Sequence, residues 1–343
     1  MSTDDLREPS ARADTSGSPD VTGEALRVNR AGRRPRRLAV PVVAVSALLL
    51  ISWLGEDVVP PAAGAEGDAH VPGLSIRRLP LEVNARVERW MEELRTNRRA
   101  ELDMLLERSG VFADLIHSEL RERAMPEELL YLAMIESGLS PLAESHVAAV
   151  GLWQFMDAAA RDYGLRMDDY VDERRDPVRA TEAALDYLYW LRARFGSWYL
   201  AIAAYNAGPA RIERVLELYA DGRTGDEALY WEILRHLPRE TREYVPRLIA
   251  TALLAAEADS LGIAVPSSAE PYAYDVVYVP GGTRFVELAR SLDVDVGVLE
   301  DLNPHLVRDE TPPDEMWPLR VPRGRAADVV GMLGRGWSLA TGE

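Results

Sequence analysis

Glu136 is the side chain in this sequence whose position best suits acid–base chemistry. It ends a largely apolar stretch, residues 126–136, that begins with Pro126, and Gly138 follows it closely. Proline at the first helical position and glycine just after the last one predict a buried helix that ends near Glu136. Burial and the negative end of the helix dipole both disfavour a carboxylate, so we expect the pKa of Glu136 to be raised, as a general acid requires. From this helix alone, a surface glutamate without chemistry fits equally well.

Three further motifs contain residue types suited to binding a sugar. They are GLWQF at Gly151–Phe155, AYNAG at Ala204–Gly208 and ETREYVP at Glu240–Pro246. Amides and hydroxyls can pair with the polar groups of a sugar, which an apolar wall cannot do, and a tyrosine hydroxyl can hold the proton of an acid. Taken singly, Gln154 is more typical of a solvated residue and Met156 of a core residue. Trp153 and Trp198 are expected in the core.

The elements that must position these motifs are helices. Apolar residues recur at helical spacing from Val87 to about Leu261, with no convincing alternating strand pattern. Asp176-Pro177 opens one helix, and Trp198–Ala204 forms another that ends at Asn206–Pro209. The pattern predicts one compact helical domain over residues 86–262.

In this order, the motifs resemble the soluble-lytic-transglycosylase (SLT) catalytic domain of glycoside hydrolase family 23. The resemblance implies a mainly α, lysozyme-like fold and cleavage of the β-1,4 bond between MurNAc and GlcNAc in peptidoglycan. Most glycosidases use two carboxylates, and this family is an exception. The resemblance implies that Glu136 acts alone, first as acid and then as base, so that the muramic C6 hydroxyl closes a 1,6-anhydro ring without water.

The same resemblance implies which residues surround the acid. Ser137 matches the residue that supports the catalytic glutamate, and the others match positions that line the sugar site or bind the sugar. The full set of expected substrate-binding residues is Ser137, Ser145, Gly151, Leu152, Gln154, Phe155, Met156, Tyr205, Asn206 and Tyr244. Gly151 suits a close approach of backbone to ligand. Glu144 and Asp157 match no catalytic position, and we expect Asp157 to cap the following helix.

Composition excludes several classes of function. The formal net charge is −17 and all basic residues are arginine, which argues against a nucleic-acid partner. The absence of cysteine removes disulfides and thiolate metal sites. The five histidines show no metal-binding spacing, so we expect neither a metal nor another cofactor.

The N-terminal part of the chain predicts contact with a membrane. We expect residues 1–37 to be a basic, disordered cytoplasmic leader, and residues 38–54 carry no charge. This run is just long enough to span a bilayer, so we interpret it as a transmembrane signal anchor, with a signal sequence cleaved near Ala65 as the alternative. Residues 55–85 are a linker. The remainder is therefore expected outside the cytoplasm, in the periplasm or cell envelope, on the cytoplasmic membrane or secreted after cleavage.

A second, smaller module follows a Pro/Ser-containing joint at residues 263–270. A strand, two helices and a returning strand are predicted at residues 274–279, 285–292, 296–302 and 319–321. Thr283 is expected to cap the first of these helices. This β-α-α-β order resembles a LysM peptidoglycan-binding module.

We place the LysM-like domain at residues 270–325, followed by a tail at residues 326–343. The insert Val307–Trp317 departs from a plain LysM repeat, so a purely structural cap on the enzyme is the alternative. Two alternatives for the whole chain stay open: a goose-type-lysozyme-like muramidase that uses water, and a non-catalytic scaffold that binds peptidoglycan. The expected partners are peptidoglycan glycan strands and, beyond them, the cell-wall synthesis machinery, with the chain itself a monomer.

Overall fold

The computed structural model describes residues 78–258 and 271–334. The predicted leader, membrane segment and cleavage site lie outside these residues, together with most of the linker, the joint at residues 263–270 and the end of the predicted tail. Within the described residues, the chain forms a helical domain (residues 78–258) and a C-terminal module (residues 271–334). The predicted mainly α class is confirmed.

Nine α-helices build the helical domain as far as it is described. They are α1 (Ala85–Arg95), α2 (Arg99–Glu122), α3 (Leu130–Ser137), α4 (Asp157–Asp162), α5 (Pro177–Phe195), α6 (Trp198–Ala207), α7 (Pro209–Tyr219), α8 (Ala228–Ile233) and α9 (Arg239–Ala256). The centre of the domain is α6, which is buried along almost its whole length and packs on α5, α7 and α9. Trp153 and Trp198 are fully buried, as predicted.

Local signals in the sequence set the ends of α5 and α6. Asp176 caps α5 by accepting hydrogen bonds from two backbone amides of its first turn, and Pro177 takes the first helical position. Gly196 ends α5 at a φ of +65°, which glycine adopts without strain. Ser197 then caps α6 through its side chain. The start of α5 at Pro177 and the start of α6 at Trp198 agree with the prediction.

The helix that carries Glu136 differs from the prediction at its start. Pro126 has an extended ψ of 130° and so precedes the helix, the segment opens with a 3-10 turn at Glu127–Leu129, and α3 proper begins at Leu130. Its end is as predicted: Gly138 has a φ of +63° and donates its N–H to the Met134 carbonyl. Glu136 therefore lies in the last turn of α3.

The C-terminal module has the predicted β-α-α-β order. Its elements are β1 (Tyr274–Val279), α10 (Phe285–Leu292), α11 (Val296–Leu302), β2 (Trp317–Pro322) and α12 (Ala326–Gly334). The two strands pair antiparallel, from Tyr274 opposite Pro322 to Val279 opposite Trp317. The segment after residue 325, predicted as a tail, begins instead with α12, which packs on β1 and buries Val329.

Two predicted helix caps are wrong. Thr283 does not cap α10: its N–H donates to the Thr311 hydroxyl at 2.9 Å and its own hydroxyl donates to the Pro280 carbonyl at 2.7 Å. The hydroxyl that a cap would use is therefore engaged by the turn before α10, and Arg284 takes the cap position without a side-chain hydrogen bond. Asp157 is the first residue of α4 rather than its cap, and its carboxylate accepts from Arg161 Nε at 2.8 Å.

In residues 78–258 and 271–334, no helix combines the length and the apolar character needed to cross a membrane. The same two ranges contain no cluster of histidine or carboxylate side chains arranged to hold a metal ion.

Candidate active site

The carboxylate of Glu136 meets a tyrosine from a distant helix. The Tyr244 hydroxyl, on α9, donates a hydrogen bond to Glu136 Oε1. Tyr244 is buried, and Glu136 as a residue is partly buried. The end of α3 and the middle of α9 together hold the acid in one orientation.

The surroundings of Glu136 raise its pKa from 4.5 to about 7. Burial is the largest cause, because it disfavours the charged form. The hydrogen bond from Tyr244 acts in the opposite direction, since it stabilises the carboxylate. Nearby Glu240 raises the pKa further, and Arg247 lowers it. A carboxyl group with this pKa is populated in both protonation states near neutral pH.

One face of α9 carries the three groups that act on Glu136. Glu240, Tyr244 and Arg247 are spaced four and three residues apart, which places them on the same side of a helix. The Arg247 guanidinium is paired with Glu101 Oε1 at 2.7 Å, so its charge is already partly compensated. The motif interpretation placed only Tyr244 at the site, although the helical spacing within ETREYVPR could have revealed the other two.

The Gly151–Phe155 segment forms a tight loop beside the end of α3. Val150 and Phe155 exchange backbone hydrogen bonds of 3.0 Å, and Gly151 N–H donates to the Ala143 carbonyl at 2.9 Å. Gly151 has a φ of +85°, and a Cβ atom there would lie 1.8 Å from the Arg174 carbonyl oxygen. The glycine therefore permits a close approach to protein backbone, where the sequence had suggested an approach to ligand.

Two predicted site residues hold this loop in place. The Ser137 hydroxyl donates to the Leu152 carbonyl at 2.8 Å, and the Tyr205 hydroxyl donates to the Trp153 carbonyl at 2.8 Å. Tyr205 is close enough to Glu136 for the carboxylate to raise its pKa, after the larger effect of burial. The tyrosine bonded to the acid is therefore Tyr244, and the hydroxyls of Ser137 and Tyr205 fix the neighbouring backbone.

Three of the remaining predicted residues keep polar or flexible groups partly exposed. Gln154 has a φ of +51° and donates to the Gly151 carbonyl at 2.9 Å. Ser145 Oγ accepts from the Ala149 N–H at 3.0 Å, and Met156 precedes α4. Leu152 and Phe155 are buried, and their side chains belong to the core of the helical domain.

Asn206 is buried and links α6 to α9. Its amide donates to Glu240 Oε1 at 3.3 Å and its carbonyl accepts from the Thr241 hydroxyl at 2.8 Å. It therefore orients the carboxylate that acts on Glu136. Arg108, which the motifs did not single out, donates to the Gly138 carbonyl at 3.1 Å and so supports the end of α3. The Glu144 side chain is exposed, and its Oε2 lies 3.7 Å from Arg175 Nη2.

Comparison with known proteins identifies both domains. Residues 115–225 match the family "Transglycosylase SLT domain", and residues 273–334 match "Lytic transglycosylase MltD, LysM-like domain". The chain is 29% identical over 228 residues to membrane-bound lytic murein transglycosylase D of Escherichia coli K12, covering 66% of this chain and 49% of that protein. It is 37% identical over 94 residues to the peptidoglycan transglycosylase gp16 of Escherichia phage T7, covering 26% of this chain and 7% of that protein.

Among solved structures, the 70 kDa soluble lytic transglycosylase Slt70 from Escherichia coli superposes with a TM-score of 0.38 at 20% identity, over 55% of this chain and 33% of that one. The chain spans about half the length of the curated relatives it matches first. The motifs around Glu136 fall inside the first family match, with Tyr244 just beyond it, and the β-α-α-β module coincides with the second. The chain therefore carries an SLT transglycosylase domain followed by a LysM-like domain of the MltD type.

Proposed function

We propose that this chain is a lytic murein transglycosylase. It cleaves the β-1,4 bond between MurNAc and GlcNAc in peptidoglycan and leaves 1,6-anhydro-MurNAc ends. The observation that carries the proposal is the Glu136 carboxyl group, which lies within an SLT domain, is oriented by Tyr244 and has its pKa raised to about 7.

In the proposed reaction, Glu136 transfers two protons in sequence. Protonated Glu136 donates its proton to the bridging oxygen, and the bond between that oxygen and C1 of MurNAc breaks. The Glu136 carboxylate then removes the proton from the C6 hydroxyl of the same sugar as its oxygen bonds to C1. Glu136 ends protonated, as it began. A pKa near 7 supports both steps, because each needs a different protonation state at the same pH.

Tyr244 supports the second step more than the first. Its hydroxyl donates to Glu136 Oε1, so it stabilises the carboxylate that exists after proton delivery. Without it, burial and the charge of Glu240 would hold the proton on Glu136 more strongly. Tyr244 thus tunes Glu136 between its roles as acid and as base.

Glu240 gives a specific reason to retain a hydrolytic alternative. Most glycosidases pair an acid with a second carboxylate that attacks the sugar or activates water, and Glu240 is a second carboxylate near Glu136. A goose-type-lysozyme-like muramidase would use that group for water. The contact between Glu240 and the buried Asn206 amide supports a fixed, structural role instead.

Mass spectrometry of muropeptides released from purified sacculi distinguishes these functions. The proposal predicts anhydro ends, a hydrolase would give reducing ends, and a non-catalytic scaffold would release nothing. The Glu136→Gln variant is the control, because it keeps the size and polarity of the side chain but has no proton to transfer at neutral pH.

We also propose that the enzyme acts outside the cytoplasm, at the cell envelope. The supporting observations are the uncharged run at residues 38–54, the basic residues that precede it and the similarity to a protein named as membrane-bound. Intact mass of the protein purified from membranes tests the anchor. A mass that includes residues 1–54 supports an uncleaved anchor, and a mass beginning near residue 66 supports cleavage.

A further inference from the structure

A buried ion pair joins the C-terminal module to the helical domain. Arg320 on β2 donates from Nη2 to both carboxylate oxygens of Asp176, at 2.9 and 2.8 Å. His305 Nδ1 lies 3.3 Å from the same carboxylate. Asp176, His305 and Arg320 are 2%, 4% and 8% exposed, so this cluster is sealed from water. We call these three residues the interface cluster.

Arg320 is itself held from several sides. Asn303 bonds to its backbone twice: it accepts from the Arg320 N–H at 2.9 Å and donates to the Arg320 carbonyl at 2.7 Å. The guanidinium lies over the Tyr274 ring at 5.0 Å and donates to the Tyr272 hydroxyl at 3.2 Å. Because these contacts hold the Arg320 side chain in one position, it also holds the Asp176 carboxylate in one position.

Asp176, the residue that Arg320 binds, is the N-cap of α5. Asp176 Oδ1 accepts from the backbone amides of Val178 and Arg179 at 2.8 and 3.2 Å, which anchors the start of the helix. One turn later, Thr181 Oγ1 accepts from the Trp153 indole N–H at 2.9 Å. Trp153 lies in the middle of the Gly151–Phe155 loop. Arg320 is thus connected to the loop beside Glu136 through one carboxylate and one helical turn.

A second route connects the module to the same loop. The Asp172 N–H donates to the His305 carbonyl at 2.8 Å, and Val171 forms a backbone bridge with Leu306. The segment that follows carries the Arg174 carbonyl, against which Gly151 packs without room for a Cβ atom. The loop therefore rests on backbone that the C-terminal module holds in place.

We propose that Arg320 is a positioning residue for the reaction at Glu136, and that the LysM-like domain forms part of the active-site framework. The module holds Asp176 and the segment before α5, these hold the Gly151–Phe155 loop, and the loop accepts the hydroxyls of Ser137 and Tyr205 beside Glu136. The effect on catalysis rests on the function proposed above, whereas the effect on the loop does not.

The test compares two variants of the full chain. The first, Asp176→Asn/Arg320→Met, removes the ion pair but keeps a residue that can cap α5 and leaves no buried charge unpaired. The control, Arg308→Ala, removes a different contact between the two domains: Arg308 is half-exposed, donates to the Asp169 carbonyl at 2.7 Å and lies over Tyr170. Circular dichroism establishes that each variant is folded.

Hydrogen exchange measured by mass spectrometry reports on the loop directly. In the double variant we expect the peptide containing Val150–Phe155 to exchange about tenfold faster. The reason is that the loop should lose local stability equal to the contribution of about one hydrogen bond. Arg308→Ala should leave this peptide unchanged. The single variant Arg320→Met, with Asp176 left uncompensated, should show a larger effect than the double variant.

Steady-state kinetics with a soluble glycan substrate measure the effect on the reaction at Glu136. We expect kcat of the double variant to fall about tenfold with little change in KM, as small misplacements of catalytic groups do. The alkaline limb of its pH profile should move to lower pH, because a looser loop admits water around Glu136. A purely structural role would lower thermal stability and leave the pH profile in place.

These outcomes separate the two proposals. A folded double variant with unchanged loop exchange and an unchanged pH profile would overturn the positioning role. A wild-type protein that releases no muropeptides, but whose loop exchange rises in the double variant, would overturn the proposed function and leave only the coupling between Arg320 and the loop standing.

Discussion

Glu136 and Asp176 are two carboxylates at helix ends with opposite behaviour. Glu136 lies in the last turn of α3, and burial raises its pKa to about 7. Asp176 caps the first turn of α5, and although burial opposes its charge, Arg320, His305 and the backbone amides hold its pKa below the ordinary value. The same side-chain chemistry gives a carboxyl group that titrates near neutral pH at one site and a permanent anion at the other.

The partners explain the difference. Asp176 has a guanidinium on both oxygens, so its charge is fully paired. Glu136 has a neutral hydroxyl from Tyr244, and Arg247, the cation that acts on it, is paired with Glu101. A buried carboxylate that is paired with a cation stays charged, whereas one that is bonded to a neutral hydroxyl can change its protonation state near neutral pH.

The largest expected effect comes from removing the proton of Glu136. Glu136→Gln should lower the rate of sacculus digestion by about 10³-fold or more, within the range that general acid–base groups contribute. Loss of turbidity of purified sacculi measures it. The matched control is Glu144→Gln, an exposed glutamate in the same part of the chain, which should digest sacculi at the wild-type rate. Comparable digestion by Glu136→Gln would remove Glu136 from the reaction.

The second prediction concerns stability against pH at the active site. Glu136 binds a proton more tightly in the folded state, at a pKa of about 7 against 4.5. Its contribution to stability is therefore full below pH 4.5 and is lost as pH rises through 7. Relative to wild type, Glu136→Gln should gain about 1–3 kcal/mol between these pH values, the partial exposure of the side chain favouring the lower figure. Urea denaturation at a series of pH values measures the gain.

The interface cluster should show the reverse trend. Burial lowers the pKa of His305 from 6.5 to about 4, so the folded state resists protonation that the unfolded state accepts. Stability is then lost as pH falls from 6.5 to 4, and His305→Gln should gain relative to wild type over that acid range. If the free energy of unfolding of Glu136→Gln and that of His305→Gln both rose relative to wild type in the same pH direction, the contrast between the two carboxylate sites would be wrong.

Two substitutions on α9, Tyr244→Phe and Glu240→Gln, should shift the pH profile of activity in opposite directions. Tyr244→Phe should have the larger effect. Removing the hydroxyl takes a hydrogen bond from the Glu136 carboxylate, so the pKa of Glu136 should rise and the alkaline limb should shift to higher pH. We expect kcat/KM to fall about tenfold, the value of a hydrogen bond to a charged group. Tyr230→Phe is the control, since that buried hydroxyl donates to the Thr241 carbonyl.

Glu240→Gln should have the smallest effect. It removes a negative charge that raises the pKa of Glu136, so the alkaline limb should shift to lower pH with only a few-fold change in rate. The products should keep their anhydro ends. A loss of activity as large as that of Glu136→Gln would instead make Glu240 a second catalytic carboxylate and support hydrolysis.

Local signals in the sequence were sufficient for the helix ends at the site. Gly138 and Asp176-Pro177 act on their immediate neighbours, so pattern alone predicts where α3 ends and where α5 begins. The order of the motifs also predicted that Tyr244 would lie near Glu136, although 108 residues separate them. The roles of the individual site residues stay predictions until the variants are measured.

What the sequence did not predict depends on contacts between distant segments. Arg320 and Asp176 are 144 residues apart and belong to different domains, and neither has a local pattern that names its partner. Thr283 is a residue type that often caps helices, yet its hydroxyl donates to the Pro280 carbonyl, and its N–H donates to Thr311 in the insert. The insert that departs from a plain LysM repeat is thus part of the module's own hydrogen bonding.

The end-group chemistry of muropeptides released from the same sacculi by wild type and by Glu136→Gln decides whether Glu136 is the acid of a transglycosylase. We expect 1,6-anhydro-MurNAc ends from wild type and almost no release from the variant. Reducing ends from wild type, or equal release of anhydro ends by the variant, would contradict it.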